Sequence, residues 1–514
     1  MKNILKALNV LYRGFFIVMK RYQIIIIITL LILPLSAGSQ YRFDFNDEIK
    51  AAYKEASSLK IEAARKRLLR LKDSQPDNAL VAYIENYADF FQLFIQEDYT
   101  LYKRLSANKK KRLEIIKNAD SNSPYYLFCQ AEILLQWATV RLKFDEKIGA
   151  AGDVYEAYKL LEKNRKLFPA FQENYKSLSI IHALAESVPS WVRKLMGVEG
   201  SVALGTTEIR QLAEHPATAS SVYRDEIIAI YSYILLYLNN QKEEAYQLFE
   251  KYPADHKANP LICFLKATVT HKSGRNDEAL SILSERPKGS EYLEFYYLEF
   301  LTGKYKLYKL DPGARTHIQR FLDGFKGRHY TKEAWQKLSW YALLVLDDPA
   351  SYNSCRQNCL TKGFKLIDED IQAYRESVSG SIPDKDLLRA RLLFDGGYYN
   401  KAYELLKSKS RIYTTGISDG EYYYRMGRIA DEMQKNAEAR EYYTQTLIKG
   451  DPARYYPCSA ALYLGLIAEE EGDGGTAKKY FNQCLSLNPE GYSSSLHQKA
   501  KAGLDRLKAV RSKP

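Results

Sequence analysis

The sequence predicts an all-α protein, a right-handed α-solenoid of antiparallel helical hairpins whose N-terminal half is less regular. Three observations carry that expectation. Apolar residues recur at helical period through most of the chain, and no alternating run bounded by tight turns reads as a strand. Small residues return at a fixed interval: Ala279 follows Ala245 by 34 positions, and Ala314 follows after a further 35. The length, 514 residues, exceeds what one globular core accommodates, while 46% hydrophobic and 27% charged residues describe a folded chain. The 42 tyrosines outnumber the 20 phenylalanines, which suits helices with one wet face, because the ring packs while the hydroxyl stays solvated.

Residues 1–39 read as a targeting segment. Lys20 and Arg21 precede an apolar run from Ile24 to Leu35, and Ala37-Gly38-Ser39 supplies the small residues that cleavage before Gln40 requires. The run is about a dozen residues, against the roughly 20 needed to cross a bilayer. A cleaved signal peptide is therefore expected rather than a permanent anchor, and with it export to the periplasm or envelope. Met19 opens a complete signal peptide by itself, so residues 1–18 read as an over-extended start. No cysteine follows the apolar run, which argues against a lipid anchor. Removing the five basic residues of 1–39, a stretch without acids, takes the net charge from +13 to +8. The one dense basic run, Lys109 to Arg112, reads as a solvated face, and export argues against a nucleic-acid partner. An association with anionic envelope components is the most that this charge supports.

Residues 40–220 form the irregular helical part. Ala64, Leu68 and Pro76 mark one hairpin, and Ala157, Leu161 and Pro169 another, with two long apolar-periodic stretches between them. Residues 221–494 hold the regular repeats. Their clearest copies run from Glu421 to Pro452, with Tyr423, Gly427, Ala439, Tyr443 and Leu447, and from Leu464 to Pro489. In the second, Ala477, Phe481 and Pro489 lie 12, 16 and 24 positions after Gly465. Ala402, with Gly397 before it and Leu406 after it, opens the way to these two; Trp335 and Leu338 begin a weaker unit whose alanine position holds Ser351. Two antiparallel helices approach closely only where small side chains meet, so Gly465 is expected to face Ala477, while Leu464 and Phe481 fill the space toward the neighbouring repeat. Proline then closes the unit because it cannot extend the second helix. Residues 495–514 are a polar amphipathic helix and tail, expected to cap the last apolar face.

These spacings resemble the tetratricopeptide repeat, with a small residue at its eighth position, alanine at its twentieth, an aromatic at its twenty-fourth and proline at its thirty-second. A looser resemblance covers residues 177–212, where Leu184, Val188-Pro189, Leu195, Gly197, Gly200, Gly205 and Leu212 are similar to the tetratricopeptide family of fungal inclusion-body-clearance proteins. That likeness implies a shared helical architecture and no chemistry. The first resemblance implies a concave groove lined by the first helix of each repeat, through its second, fifth, ninth and twelfth positions. Carried onto this chain, those positions include Leu387, Arg391 and Phe394, then Tyr424, Arg428 and Asp431, then Leu462, Leu466 and Glu469. Arg391 and Arg428 share the ninth position, so they either grip an acidic or extended peptide between apolar anchors or pair with nearby acids and keep the groove soluble. The asparagine and lysine set of the chaperone-binding subset is missing. Cys458 and Cys484 fall at the first and twenty-seventh positions of one repeat, where two helix ends adjoin, and are read either as a disulfide or as packed thiols.

The remaining residues give little sign of catalysis. No two of the seven histidines lie within five residues of each other, so no helical zinc pair exists, and no phosphate-cradling loop, nucleophile elbow or dinucleotide fingerprint is present. Cys355 and Cys359, four apart on one helix face, read as small buried hydrophobes. Ala185-Glu186-Ser187, with Gly197 and Gly200 downstream, is similar to the Glu-Ser motif of lytic transglycosylases, whose glutamate is a general acid. The match breaks at Ser201-Val202, where that family carries Met-Gln, and in its glycine spacing, so Glu186 reads as a helix-end residue. The favoured expectation is a non-catalytic exported scaffold that binds a protein or peptide partner in its groove, without cofactor, metal or small-molecule substrate. The alternatives are a glycan-acting enzyme using Glu186 and a carbohydrate-binding accessory protein of the outer membrane; the missing lipid-anchor cysteine counts against the latter.

Overall fold

The computed structural model describes residues 41–185, 197–415 and 420–511; the targeting segment and Glu186 lie outside them. Four hairpins come first: α1 (Asp47–Ser57) with α2 (Ile61–Ser74), α3 (Leu80–Gln96) with α4 (Tyr99–Lys117), α5 (Tyr125–Lys143) with α6 (Lys147–Leu167), and α7 (Asn174–Ala185) with α8 (Val202–Glu214). Four more follow: α9 (Arg224–Tyr233) with α10 (Lys242–Lys251), α11 (Pro260–Lys272) with α12 (Asn276–Ser284), α13 (Tyr297–Tyr308) with α14 (Ala314–Gly324), and α15 (Thr331–Tyr341) with α16 (Pro349–Thr361). An extra helix α17 (Asp368–Ser379) interrupts the alternation. Then come α18 (Lys385–Asp395) with α19 (Tyr399–Ser408), a short α20 (Ser410–Thr415), α21 (Glu421–Glu432) with α22 (Asn436–Lys449), and α23 (Tyr455–Glu470) with α24 (Gly474–Ser486). The closing helix is α25 (Ser493–Arg511). Among the described residues, β pairing is limited to two isolated bridges, Tyr41 to Ala119 and Arg42 to Asn78. The chain is thus an all-α solenoid of tetratricopeptide-like hairpins.

Local sequence sets the helix ends. Asn46, Asp98, Asn259, Asp348, Asp384 and Asp473 accept hydrogen bonds from backbone N–H groups two or three residues on, satisfying donors that the first turn leaves orphaned. Pro260 and Pro349 occupy the first helical positions, where a missing N–H costs nothing. Within the hairpins, the turn between helices places one residue in the left-handed region. Gly274, Gly397 and Gly472 do so as glycines, and Leu59, Glu97, Asp145, Asn240, Leu310, Asp347 and Gln434 do so despite a side chain. Two first helices end in a π-turn, Ile234–Leu238 after α9 and Ala342–Leu346 after α15.

The alanines used to count repeats are core residues: Ala245, Ala279, Ala402, Ala439 and Ala477 are all fully buried. The facing partner of the small first-helix residue differs from expectation. A Cβ on Gly465 would lie 2.6 Å from the ring of Phe481, and one on Gly427 would lie 2.7 Å from the ring of Tyr443. The glycine therefore makes room for a flat aromatic ring of the second helix, with Ala477 not among its closest contacts. Phe481 is also closed in from the far side, where a Cβ on Gly503 of α25 would lie 2.5 Å away. That contact shows how the last helix covers the final apolar face.

The N-terminal hairpins share one core that runs unbroken from Ile49 to Val269, across the position near 220 where the sequence changes regularity. Its tightest backbone approach is at Gly205 of α8, where a Cβ would lie 2.2 Å from the Ser179 carbonyl oxygen and 2.7 Å from the Ala183 methyl. Gly205→Ala is therefore expected to destabilise the protein by about 1–3 kcal/mol, because backbone cannot move aside as a flexible side chain does. Gly152→Ala on α6, where a Cβ meets nothing within 4 Å, is the matched control and should stabilise by about 0.5–1 kcal/mol. Urea unfolding of the two variants checks both; equal effects would contradict the packing account.

The solenoid coils until its turns touch. The Leu293 N–H donates to the Leu59 carbonyl at 2.8 Å, joining the turn of the first hairpin to the loop that follows the sixth. Glu97, at the α3–α4 turn, meets the loop before α15. Its carboxylate accepts from the backbone N–H groups of Arg328 and His329, both at 3.0 Å, and lies 3.0 Å from His329 Nδ1 and 2.7 Å from Lys143 Nζ. Further along, Lys242 pairs with Glu432 at 3.0 Å, and Asn276 donates to the Tyr398 hydroxyl at 3.1 Å. These contacts turn the concave face into an interior.

Candidate functional site

That interior, in the C-terminal half, is a cavity of ≈ 780 Å³. Its wall is built from the first helices α15, α18, α21 and α23, with α17 and the start of α25 closing it. The extra helix α17 fixes the floor. Asp370 accepts from the Tyr330 and Glu333 N–H groups at 2.7 and 3.0 Å, holding the N-terminus of α15, and burial pushes its carboxyl up to about 6. Glu376 accepts from Trp340 Nε1 at 2.5 Å and from Gln336 at 2.7 Å. With α15 so anchored, Glu333 and Lys337 face the cavity.

The floor is a buried charge cluster. Glu333 accepts from Lys304 at 2.8 Å and lies 3.3 Å from Lys337, while its second carboxylate oxygen is buried without a hydrogen-bond partner. Lys337 Nζ sits 3.9 Å over the Trp340 ring, and the Arg391 guanidinium lies 4.6 Å from the same ring. Burial lowers the Lys337 pKa, and the positive charges of Lys304 and Arg391 lower it further against the pull of Glu333. Nearby, His271 stacks on Tyr305 with ring centroids 4.0 Å apart; burial drives its pKa down to about 3, so it stays neutral.

The wall carries arginines and aromatic rings together. Arg428 lies between Phe394 and Tyr463, 4.9 and 4.2 Å from their ring centroids. Arg425 is paired with Glu421 one turn earlier on α21. Tyr399, Tyr455 and Tyr492 line the same space. The arrangement suits an elongated ligand that brings anionic groups and apolar surface.

The groove residues expected from repeat position divide into two groups. Arg391, Phe394 and Arg428 line the cavity, and Tyr424, 6% exposed, reaches only a side pocket of it. Leu387 and Leu462 belong to the apolar core, and Leu466 packs against that core. Inter-repeat packing removes these leucines from the wall, as burial of apolar surface favours. Asp431 accepts from the Tyr443 hydroxyl at 3.0 Å, with its carboxyl raised by burial. Glu469 is held by Arg506 of α25 at 2.6 and 2.8 Å. Neither lines the cavity. Arg425, Lys337 and Tyr455, which repeat position does not select, do line it.

Cys458 and Cys484 adjoin as the repeat register implies. Both are fully buried, with sulfurs 3.6 Å apart. The Lys109–Arg112 run is partly structural: Lys109 pairs with Asp153, and Arg112 pairs with Asp89 at 2.7 Å. Among the described residues, no group of three His, Cys, Asp or Glu side chains is placed to hold a metal ion, and no helix is long and apolar enough to cross a membrane.

No protein-family model matches the chain, and no curated protein sequence does. Among solved structures, the Cut9–Hcn1 hetero-tetramer of the APC/C is similar at 11% identity over 91% of this chain and 85% of that one, with a TM-score of 0.24. Yeast Tom70 is similar at 12% identity over 92% of this chain and 98% of that one, also with a TM-score of 0.24. At that score neither superposition adds a functional argument to the hairpin geometry.

Proposed function

We propose that the chain is an exported, non-catalytic scaffold whose central cavity takes a short acidic segment of a protein partner. The observation that carries the reading is the pair Arg391 and Arg428 on one wall, Arg391 over the Trp340 ring and Arg428 over that of Phe394. A cavity of ≈ 780 Å³ falls within the range of pockets that enclose short ligands, so it fits an extended segment and not a folded face. Binding to such a site follows from preformed contacts on rigid helices rather than from buried area. Export is inferred from the apolar run and small-residue cleavage site of residues 1–39. The glycan-acting alternative through Glu186 gains no support from the cavity, which is built from other residues.

Site-specific photo-crosslinking in cells tests this. A photoreactive residue at Phe394 is expected to give one discrete protein adduct, and one at Ile448, which is 69% exposed on the second helix α22, none. The same adduct pattern at both positions, or none at Phe394, would overturn the cavity as the docking site.

A further inference from the structure

A side pocket of ≈ 140 Å³ opens off the central cavity between α18 and α21. Three guanidiniums converge on it: Arg391 from α18, and Arg425 and Arg428 from α21. Asp395 is its sole carboxylate among the described residues, and the phenols of Tyr424 and Tyr455 complete the polar lining. At roughly 30 Å³ per water, the space holds a handful of waters or one compact polar group.

The donors of this pocket outnumber its acceptors. A guanidinium carries five N–H donors, and burying them unmatched is costly. Arg391 makes no hydrogen bond to any described residue; its ion-pair partner Asp395 is 3.9 Å away. Arg428 reaches the Tyr424 hydroxyl at 3.4 Å and Glu432 at 3.8 Å, and its Nε is buried without a partner. Only Arg425 has a close carboxylate, Glu421, which lines the central cavity and not the side pocket. Rings rather than acids hold the two unmatched arginines: Trp340 beneath Arg391, Phe394 and Tyr463 about Arg428. Their orientation is thus set before any ligand arrives.

One fork satisfies a planar carboxylate, whereas three forks arriving from two helices match oxygens spread in three dimensions. We propose that the side pocket binds a tetrahedral oxyanion, a phosphate or sulfate monoester borne by the ligand, with its ester oxygen leading out into the central cavity. The proposal rests on the reading of that cavity as the docking site. The two fail separately, because anion binding is measured on the protein alone and docking by the Phe394 adduct.

The test is calorimetric titration of the full chain with inorganic phosphate, sulfate, phenyl phosphate and phenyl sulfate at constant ionic strength. Expected is one saturable site for the ions, with at least one ester binding as tightly as its free ion. Arg391→Met and Arg428→Met, which keep the apolar stem, should each weaken binding about tenfold or more. Lys110→Met, which removes an exposed cation on α4 outside both cavities, should leave it unchanged. Absence of saturable binding would overturn the proposal, as would equal weakening by Lys110→Met, which would reveal only a diffuse positive field. Acetate competing as well as phosphate would replace it with a carboxylate site, and exclusion of both esters would replace it with a buried free ion. Should one methionine variant fail to fold, the other carries the comparison.

Discussion

Lys176→Met is expected to lower the unfolding free energy by about 3–5 kcal/mol, the cost of leaving buried charge uncompensated. Lys176 on α7 is 2% exposed, and its ammonium lies 2.5 Å from Glu132 and 2.6 Å from Glu226. Burial would pull its pKa down, but the two carboxylates outweigh that and raise it, so the cation is retained. Tyr87 accepts from the same ammonium at 3.3 Å, Ser177 donates to Glu132, and Tyr53 donates to Glu226. Methionine fills the volume and supplies no charge, so two carboxylates face each other across an apolar core. Adding Glu132→Gln and Glu226→Gln to Lys176→Met should recover part of the loss, since the repulsion goes with the charges. Urea unfolding measures each variant. A loss under about 1 kcal/mol for the single change would show that the network is not electrostatically coupled.

The second large effect concerns acid and the contact between coils. Burial would push the Glu97 carboxyl up, but hydrogen bonding from His329 and the charge of Lys143 more than offset it and hold it at about 2. A carboxyl at about 4.5 when unfolded and about 2 when folded stabilises the native state by about 3 kcal/mol. Because the folded value is the lower one, that stability is fully present above pH 4.5 and is lost as pH falls toward 2. The gap in stability between wild type and Glu97→Gln is expected to be widest near neutrality and to close across that window. His271 weakens the fold in acid by another route, since its unfolded form takes up a proton near 6.5 and its folded form only near 3. That term is common to both proteins and cancels in the difference. Denaturant titrations from pH 7 to pH 3 decide the matter: a gap constant in pH would mean that Glu97 acts through shape and not charge.

The fold was legible because the hairpin writes itself locally. Ala477, Phe481 and Pro489 record, in order, a buried small residue, a ring packed over a glycine and a helix stop. The turns were harder to read, since Leu310, Asp347 and Gln434 take the left-handed conformation that sequence reading assigns to glycine. Repeat register pointed to Arg391, Phe394 and Arg428, which line the cavity, but the same positions of the following repeats, Asp431, Leu466 and Glu469, do not. It misassigned Leu387 and Leu462, because register alone does not tell which side chains the next repeat covers. Arg425, Lys337 and Tyr455 enter the wall only through the tightness of the coil and the insertion of α17. No local period reports either, and Glu97 meeting His329 across 232 positions is likewise invisible to it.

Contacts between coils also constrain how such a chain can change over generations. An open array tolerates gain or loss of a repeat, since each unit answers only to its neighbours. Here the carbonyl of Leu59 must find the N–H of Leu293, and Glu97 must find the Arg328–His329 backbone. Duplicating one hairpin between those points would rotate every downstream partner out of register at once. The hairpin number between residues 59 and 293 is therefore locked.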